Sequence, residues 1–126
     1  MTQVPPLNAR QRRIHARKQA IKWLKQRWPR VFAGQPVPLS LGANERILQA
    51  RLEDPQAPPA RSVKDALRWW VNQPPYLRRV AAGQPRRDLE GQEVEPVTSE
   101  HQAYARIRYR EIKRRRDPEV ATSGSS

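Results

Sequence analysis

The stretch ALRWWVNQPPYL, residues 66–77, places two adjacent tryptophans just before a double proline and a tyrosine. Pro74 must end the preceding helix, because proline disfavours helical backbone in the residue before it. Pro75 can then take the first position of a new helix, where its missing N–H has no cost. Adjacent helical residues point about 100° apart, so we expect one tryptophan in the core and the other half exposed. The stretch predicts two helices that meet at a sharp break.

The break itself is a candidate anion site. A helix starting at Pro75 would direct unpaired backbone N–H groups at it, and such a terminus attracts anions. Asn72 or Gln73 would lie near the cap. Tyr76 falls in the first turn, where both a pocket position and a core position are open to it. The sequence alone leaves that choice undecided.

The helix before the break is expected to start at Ser62, since residues 62–65 form a variant of the capping box. Its buried face would consist of four residues, Val63, Ala66, Leu67 and Trp70. Lys64 and Arg68, four residues apart, share another face of the same helix. This helix is therefore apolar on one side and cationic on another.

Two earlier helices are predicted upstream. The first runs from about Arg13 to the residue before Pro29, with an apolar stripe of Ile14, Ala20, Ile21, Leu24 and Trp28. Its cationic side carries Arg17, Lys18, Lys22 and Lys25. A second helix, capped by Asn44, would bury Ile47, Leu48 and Leu52.

Downstream of the break, Glu90 and Gly91 suggest the turn of a small β-hairpin between residues 86–89 and 92–94. Thr98 or Ser99 would cap a last helix, with Ala105, Tyr109 and Ile112 on its apolar side and Ala103 and Ile107 near it. We therefore predict an α+β, predominantly helical fold of about five helices with one hairpin. We expect a flexible basic extension at residues 1–12, a domain at residues 13–116 and a disordered tail at residues 117–126.

The distribution of charge points to a polyanionic partner. The 126 residues include 25 Lys and Arg against 12 Asp and Glu, a net charge of +13. Nine bases and no acid occupy residues 8–30, seven bases occupy residues 106–116, and five acids and no base occupy residues 88–100. One basic block alone is equally compatible with a solvated helix face. Two such blocks favour nucleic acid over an acidic membrane surface or an acidic protein.

Other classes of protein are disfavoured. The chain has no cysteine, no apolar run near the ~18 residues of a membrane helix and no apolar signal segment, so we expect a cytoplasmic protein. His15 and His101 have no neighbours at metal-ligand spacing, and no nucleotide-binding or hydrolase motif is present. We expect no enzymatic activity, cofactor, metal or small-molecule substrate.

Five segments in order carry a family resemblance: AIKWLKQRWPRVF (20–32), PLSLG (38–42), KDALRWWVNQPPYL (64–77), G-x-P-R-x-D-L-x-G (83–91) and SEHQAYARIRYREIKRRR (99–116). Together the series resembles the ProQ/FinO domain of bacterial RNA chaperones, as a minimal single-domain member. The resemblance implies a concave basic face and binding of structured small RNAs and messenger 3′ ends. These RNAs would be stem-loops of the terminator type that end in a single-stranded 3′ tail. The resemblance further implies a role in post-transcriptional regulation and a protein that binds as a monomer.

The resemblance also assigns roles to residues. Lys64 and Arg68 would contact the RNA backbone, Tyr76 and Arg86 would form the pocket for the 3′ end, and Asn72 could cap that site. Ser40 stands where better-known members carry a lysine that contacts RNA. That contact could shift to a neighbour such as Arg79 or Arg87. The RNA-binding set is completed by Arg61 and, as auxiliary bases, by Arg12, Arg13, Arg17, Lys18, Arg110, Lys113 and Arg114.

Three alternatives remain open. The tryptophan-proline stretch could belong to a DNA-binding helix-turn-helix regulator, although a double proline is unlike the usual turn. A ribosome-associated basic protein has the same composition. A nuclease could use Asp88, Glu90 and Glu93 to hold Mg²⁺, although these acids form no clear convergent set.

Overall fold

A computed structural model of the chain describes residues 5–116. The helices in this range are α1 (Ala9–Arg27), α2 (Pro29–Phe32), α3 (Ala43–Arg51), α4 (Ala60–Val71), α5 (Pro74–Ala81) and α6 (Ser99–Arg116). The first helix packs on α2 and α4, α3 packs on α4, and α5 packs on α6. The predominantly helical prediction is confirmed. The predicted tail at residues 117–126 and the first four residues lie outside the described range.

The break between α4 and α5 forms where the double proline predicted it. Gln73 has extended backbone (φ −79°, ψ 142°) and Pro74, rather than Pro75, is the first residue of α5. Trp70 is buried and meets Phe32 edge to face, with ring centroids 5.3 Å apart. Trp69 is half-buried. The expected division of the two tryptophans is confirmed.

The first helix begins at Ala9, four residues before its predicted start. Asn8 and Gln11 form a reciprocal capping box: the Gln11 N–H donates to Asn8 Oδ1 over 2.8 Å, and the Asn8 N–H donates to Gln11 Oε1 over 3.0 Å. The box satisfies N–H groups that would otherwise be unpaired at the helix end. Residues 9–12 are therefore part of α1, so the helix overlaps the extension that the sequence predicted at residues 1–12.

Two predicted caps are absent from α3 and α4. Ser62 lies inside α4, and its N–H donates to the carbonyl of Pro59 over 3.0 Å. Gly42, with a left-handed φ of +86°, takes the cap position of α3 in place of Asn44. Both helices start from turns that proline or glycine makes with backbone alone. Leu52, predicted to be buried, lies beyond the end of α3 and is 66% exposed.

The predicted β-hairpin is reduced to one antiparallel bridge, between Arg87 and Glu93, and residues 5–116 contain no longer strand. A parallel bridge joins Leu39 to the other side of Arg87. Pro85 and Pro96 flank the paired segments and cannot donate a ladder hydrogen bond, so the pairing cannot extend. The structure is thus less strand-rich than the sequence predicted.

The last helix is capped by Thr98, whose Oγ1 accepts from the His101 N–H over 3.1 Å. Ala105 and Ile112 are buried on its inner face, as predicted. Ile107, 57% exposed, is solvent-facing, and so is Ala103, because each is two residues from Ala105 and points to another side of the helix. No helix within the described range is long and apolar enough to span a bilayer.

Candidate functional site

The backbone of Leu39 holds two distant side chains together. Its N–H donates to the Tyr76 hydroxyl over 3.1 Å, and its carbonyl accepts from Arg86 Nη1 over 2.8 Å. Pro36 and Pro38 keep this segment extended, since proline is confined to φ near −65°. The segment therefore presents both backbone groups of Leu39 to side chains from α5 and from the loop after it.

Tyr76 is a core residue with only 6% of its surface exposed. Burial raises the pKa of its hydroxyl, while the Leu39 N–H and the nearby Arg86 guanidinium partly offset that rise. Tyr76 is therefore both a core residue and a pocket residue, the two alternatives that the sequence left open. Its ring packs in the interior, and its hydroxyl lies beside a cation.

Arg86 is a buried guanidinium, 9% exposed. Its Nη2 lies 2.9 Å from Nδ1 of His101, which must accept the hydrogen bond because a guanidinium can only donate. Arg86 takes part in none of the four ion pairs found within residues 5–116. Buried charges usually have a direct ionic partner. Here positive charge is left available beside the Tyr76 hydroxyl.

The positive charge of Arg86 also affects Glu95. A hydrogen bond from the Leu41 N–H, 2.6 Å long, is the main reason that the pKa of Glu95 is lowered, and the charge of Arg86 contributes to the same shift. The carboxylate is engaged by backbone and makes no direct contact with the guanidinium. It therefore moderates the charge of Arg86 without neutralising it.

Tyr76 and Arg86 line a cavity of about 200 Å³. Asn72 also lines it, so the structure brings these three predicted site residues together. Its remaining walls are His101 and Tyr104 from α6 and four apolar residues, Val71, Leu77, Val80 and Ala105. The sequence reasoning missed His101 and Tyr104. Counting back one turn from Ala105 along the apolar stripe of α6 would have placed His101 on the side that faces α5.

Asn72 also lines a groove of about 320 Å³ on the other side of the break. The Nδ2 of Asn72 donates to the Arg68 carbonyl over 2.8 Å, and the Oδ1 of Asn72 accepts from Arg108 Nε over 2.9 Å. Arg116 donates to Gln73 over 2.6 Å. Four arginines line this groove, which we call the arginine groove: Arg17, Arg68, Arg108 and Arg116. Arg108 and Arg116 were not among the predicted site residues.

The predicted anion site at the backbone of α5 is wrong in its donors. Pro74 and Pro75 occupy the first two positions of the helix, and neither has an N–H. Tyr76 is the first residue of α5 with a backbone donor. The hydrogen-bond donors available at the break are instead side chains, chiefly the guanidinium groups of the arginine groove.

A third cavity, of about 590 Å³, lies between the first turns of α1 and α4. Three predicted basic residues, Arg12, Arg13 and Arg61, line it. Asp65, at its edge, pairs with Arg17 over 3.0 Å. The ion pair connects this cavity to the arginine groove, because Asp65 lines both of them and Arg17 lines the groove. Lys64 is exposed on the same helix as Arg61.

The other predicted residues have varied surroundings. Arg87 donates to the Gly91 carbonyl over 2.9 Å and pairs with Glu93 over 3.3 Å, so it holds its own turn together. Ser40 bonds to Arg87 through its backbone N–H, and Arg79 donates to a glutamine, Gln35. Exposed positions on α1 and α6 carry Lys18, Arg110, Lys113 and Arg114. Within residues 5–116, no group of three or more acidic or histidine side chains could hold a metal ion.

Fold and site together define a small, basic, helical domain with a cavity at a helix break, where one buried arginine forms part of the wall. Curated proteins similar to this chain include the RNA chaperone ProQ of Idiomarina loihiensis, 36% identical over 98 residues, and that of Pseudoalteromonas atlantica, 32% identical over 98 residues. These alignments cover 76% of this chain and 47% and 45% of the relatives. The chain thus spans about half the length of the curated relatives it matches.

Two solved structures share the fold. A ProQ homologue from Legionella pneumophila aligns over 88% of this chain and 90% of its own, with a TM-score of 0.64 and 27% identity. A FinO-like RNA chaperone from Neisseria meningitidis aligns over 74% of this chain and 73% of its own, with a TM-score of 0.59 and 23% identity. The ProQ/FINO family model matches residues 14–122. The chain belongs to the ProQ/FinO family.

Proposed function

We propose that this protein binds structured RNA and acts as an RNA chaperone without covalent chemistry. The relatives that share most of its length are named RNA chaperones, and the net charge of +13 suits a polyanionic partner. The proposed ligands are small RNAs and messenger 3′ ends whose terminator-type stem-loop ends in a single-stranded 3′ tail.

The observation that carries the proposal is Arg86, a buried cation that faces a cavity and forms no ion pair with any carboxylate of residues 5–116. A 3′-terminal ribose has two adjacent hydroxyls, each of which can accept a hydrogen bond from a guanidinium. Tyr76 and His101 supply further polar atoms at the same cavity. We propose that the free ribonucleotide end binds there and is recognised by its hydroxyl groups rather than by its base.

The stem is proposed to lie against the arginine groove and the cavity lined by Arg12, Arg13 and Arg61. A-form RNA has a major groove too narrow for side chains, so proteins recognise its shape, its phosphates and its 2′-hydroxyls. The guanidinium groups on α1, α4 and α6 are suited to phosphate contact, because their planar forks match phosphate geometry. These contacts supply affinity, and the end pocket supplies selectivity for RNAs with a free tail.

The chaperone step follows from charge. Two RNA strands repel each other, and a protein that neutralises phosphates on one of them lowers the barrier to their encounter. Protection of the 3′ end follows from occupancy of the cavity. Both effects need binding alone, so the proposal includes no catalytic residue.

The test compares one terminator hairpin with a 3′-hydroxyl tail, with a 3′-phosphate tail and with no tail. We expect the hydroxyl-ended tail to bind most tightly, because a phosphate is larger and removes a hydroxyl from the contact with Arg86. Replacing Arg86 with Lys should abolish this preference, since an ammonium cannot bond Leu39 and a ribose in the same fork geometry. Equal binding of the three RNAs to the unaltered protein would refute the end pocket.

A matched control is Arg46, an exposed arginine on α3 that pairs with Glu90. Arg46→Ala should leave the preference among the three RNAs unchanged. The same tailed hairpin made of DNA separates this proposal from a DNA-binding regulator. DNA bound as tightly as RNA would favour the regulator.

A further inference from the structure

Tyr104 is a large aromatic side chain that the core does not use. It is 65% exposed on α6, while Tyr109 on the same helix is half-buried and packs against the core. Of the exposed large hydrophobic side chains of residues 5–116, it is the one that lines the cavity of Tyr76 and Arg86. Tyr104 therefore lies at the rim of the candidate end pocket with most of its surface in solvent.

The size of the cavity limits what it can enclose. Its volume is about 200 Å³, whereas pockets that enclose a drug-sized ligand measure roughly 300–1,000 Å³. A terminal ribose with part of its base can enter, but a second nucleotide cannot. The preceding nucleotide of a bound tail must lie outside the cavity, next to its rim.

The surroundings of the rim suit an unpaired nucleotide. His101, one turn before Tyr104 on α6, bonds to Arg86. Arg108, one turn after Tyr104, bonds to Asn72 and lines the arginine groove. An exposed aromatic ring between two positions linked to cations is the arrangement by which proteins bind single-stranded nucleic acid, the ring stacking on a base and the cations meeting phosphates.

We infer that Tyr104 is the stacking platform for the nucleotide that precedes the 3′-terminal one, and this inference rests on the proposed function. Stacking is tolerant of base identity because every base has a flat π-face. The platform therefore sets a requirement for tail length: at least two unpaired nucleotides, whatever their sequence. A one-nucleotide tail would fill the cavity and leave Tyr104 unused.

The test measures binding of a tailed hairpin, of the same hairpin with an abasic site before the last nucleotide, and of a blunt hairpin. Tyr104→Ala should weaken binding of the tailed hairpin about tenfold and leave the blunt hairpin unchanged. Tyr104→Phe should bind the tailed hairpin as tightly as the unaltered protein does, because the ring is retained. The abasic site should weaken binding to the unaltered protein by the same factor. It should not further weaken binding to the Tyr104→Ala variant.

Ile107→Ala is the matched control, since Ile107 is 57% exposed one turn further along α6 and should leave binding of all three RNAs unchanged. Independent, additive losses from Tyr104→Ala and the abasic site would overturn the inference, as would an equal loss on the blunt hairpin. If Tyr104→Ala binds the tailed hairpin as tightly as the unaltered protein does while Arg86→Lys loses the preference for the tail, the inference fails and the proposed function stands. If the unaltered protein has no preference for the tail, both fail.

Discussion

Tyr76 combines a structural task and a polar task in one side chain. Its ring is part of the buried core, and its hydroxyl accepts from the Leu39 N–H at the edge of a cavity. Substitution by alanine would remove both and create a void that costs about 3–5 kcal/mol of stability. Phenylalanine is therefore the informative replacement, because it keeps the packing and removes only the hydroxyl.

The raised pKa of Tyr76 predicts a stability change at alkaline pH. Below pH 10, the ordinary pKa of a tyrosine hydroxyl, the phenol is protonated in both the folded and the unfolded chain. Above it the unfolded chain ionises first, so the contribution of Tyr76 is lost as the pH rises through its folded pKa. Urea unfolding between pH 8 and pH 11 measures the difference in unfolding free energy between the unaltered protein and Tyr76→Phe. The unaltered protein should be the more stable at pH 8, and this difference should shrink as the pH rises. A constant difference would contradict the prediction.

At the scale of single elements, α1 owes its start to one residue. Asn8 accepts from the Gln11 N–H and its own N–H is satisfied in return. Asn8→Ala should lower the free energy of unfolding by about 0.5–2 kcal/mol, the usual cost of losing such a cap. Chemical denaturation followed by circular dichroism measures this cost. Asn44→Ala is a control, because Asn44 does not cap α3, and it should have a much smaller effect.

The cationic face of α4 makes a prediction about salt. Lys64 and Arg68 are exposed one turn apart, and each is proposed to neutralise one phosphate. Ala at either position should reduce the slope of log K against log salt concentration by about one unit. Binding isotherms at four or more salt concentrations give this slope. An unchanged slope for both variants, alongside an unchanged slope for the control Arg46→Ala, would remove α4 from the RNA interface.

The double proline acts on both helices that it separates. It ends α4 so that Asn72 can bond to Arg68 and Arg108, and it starts α5 so that Tyr76 points inward. The same prolines remove two backbone donors from the break. An anion bound there would therefore meet chiefly guanidinium groups, and these come from α1, α4 and α6.

For the whole molecule, the charge predicts strongly salt-dependent binding. The basic cavities and the arginine groove together offer more than six cationic side chains. If six or more phosphates are contacted, affinity should fall about 10³-fold between 50 and 200 mM salt. Titrations of a tailed hairpin over that range measure the fall. A decrease of only a few-fold would indicate that most of these cations face away from the RNA.

Local pattern was sufficient for the longer helices and for the break between α4 and α5, whereas the short α2 (Pro29–Phe32) was not predicted. Proline positions, apolar periodicity and the Thr98 cap act over a few residues, so they predicted α1, α4, α5 and α6 to within a few positions. Local pattern failed where backbone turns replaced side-chain caps, as at Gly42, and where Pro85 and Pro96 stopped the pairing of a predicted hairpin.

The end cavity could not be read from any local pattern. Tyr76 and Arg86 were named through a family resemblance, but their shared partner Leu39 is 37 and 47 residues away from them in sequence. His101 reaches Arg86 across a 15-residue separation only because α6 packs on α5. Periodicity reports which side of a helix is buried, whereas a site built from four segments depends on how those buried sides meet.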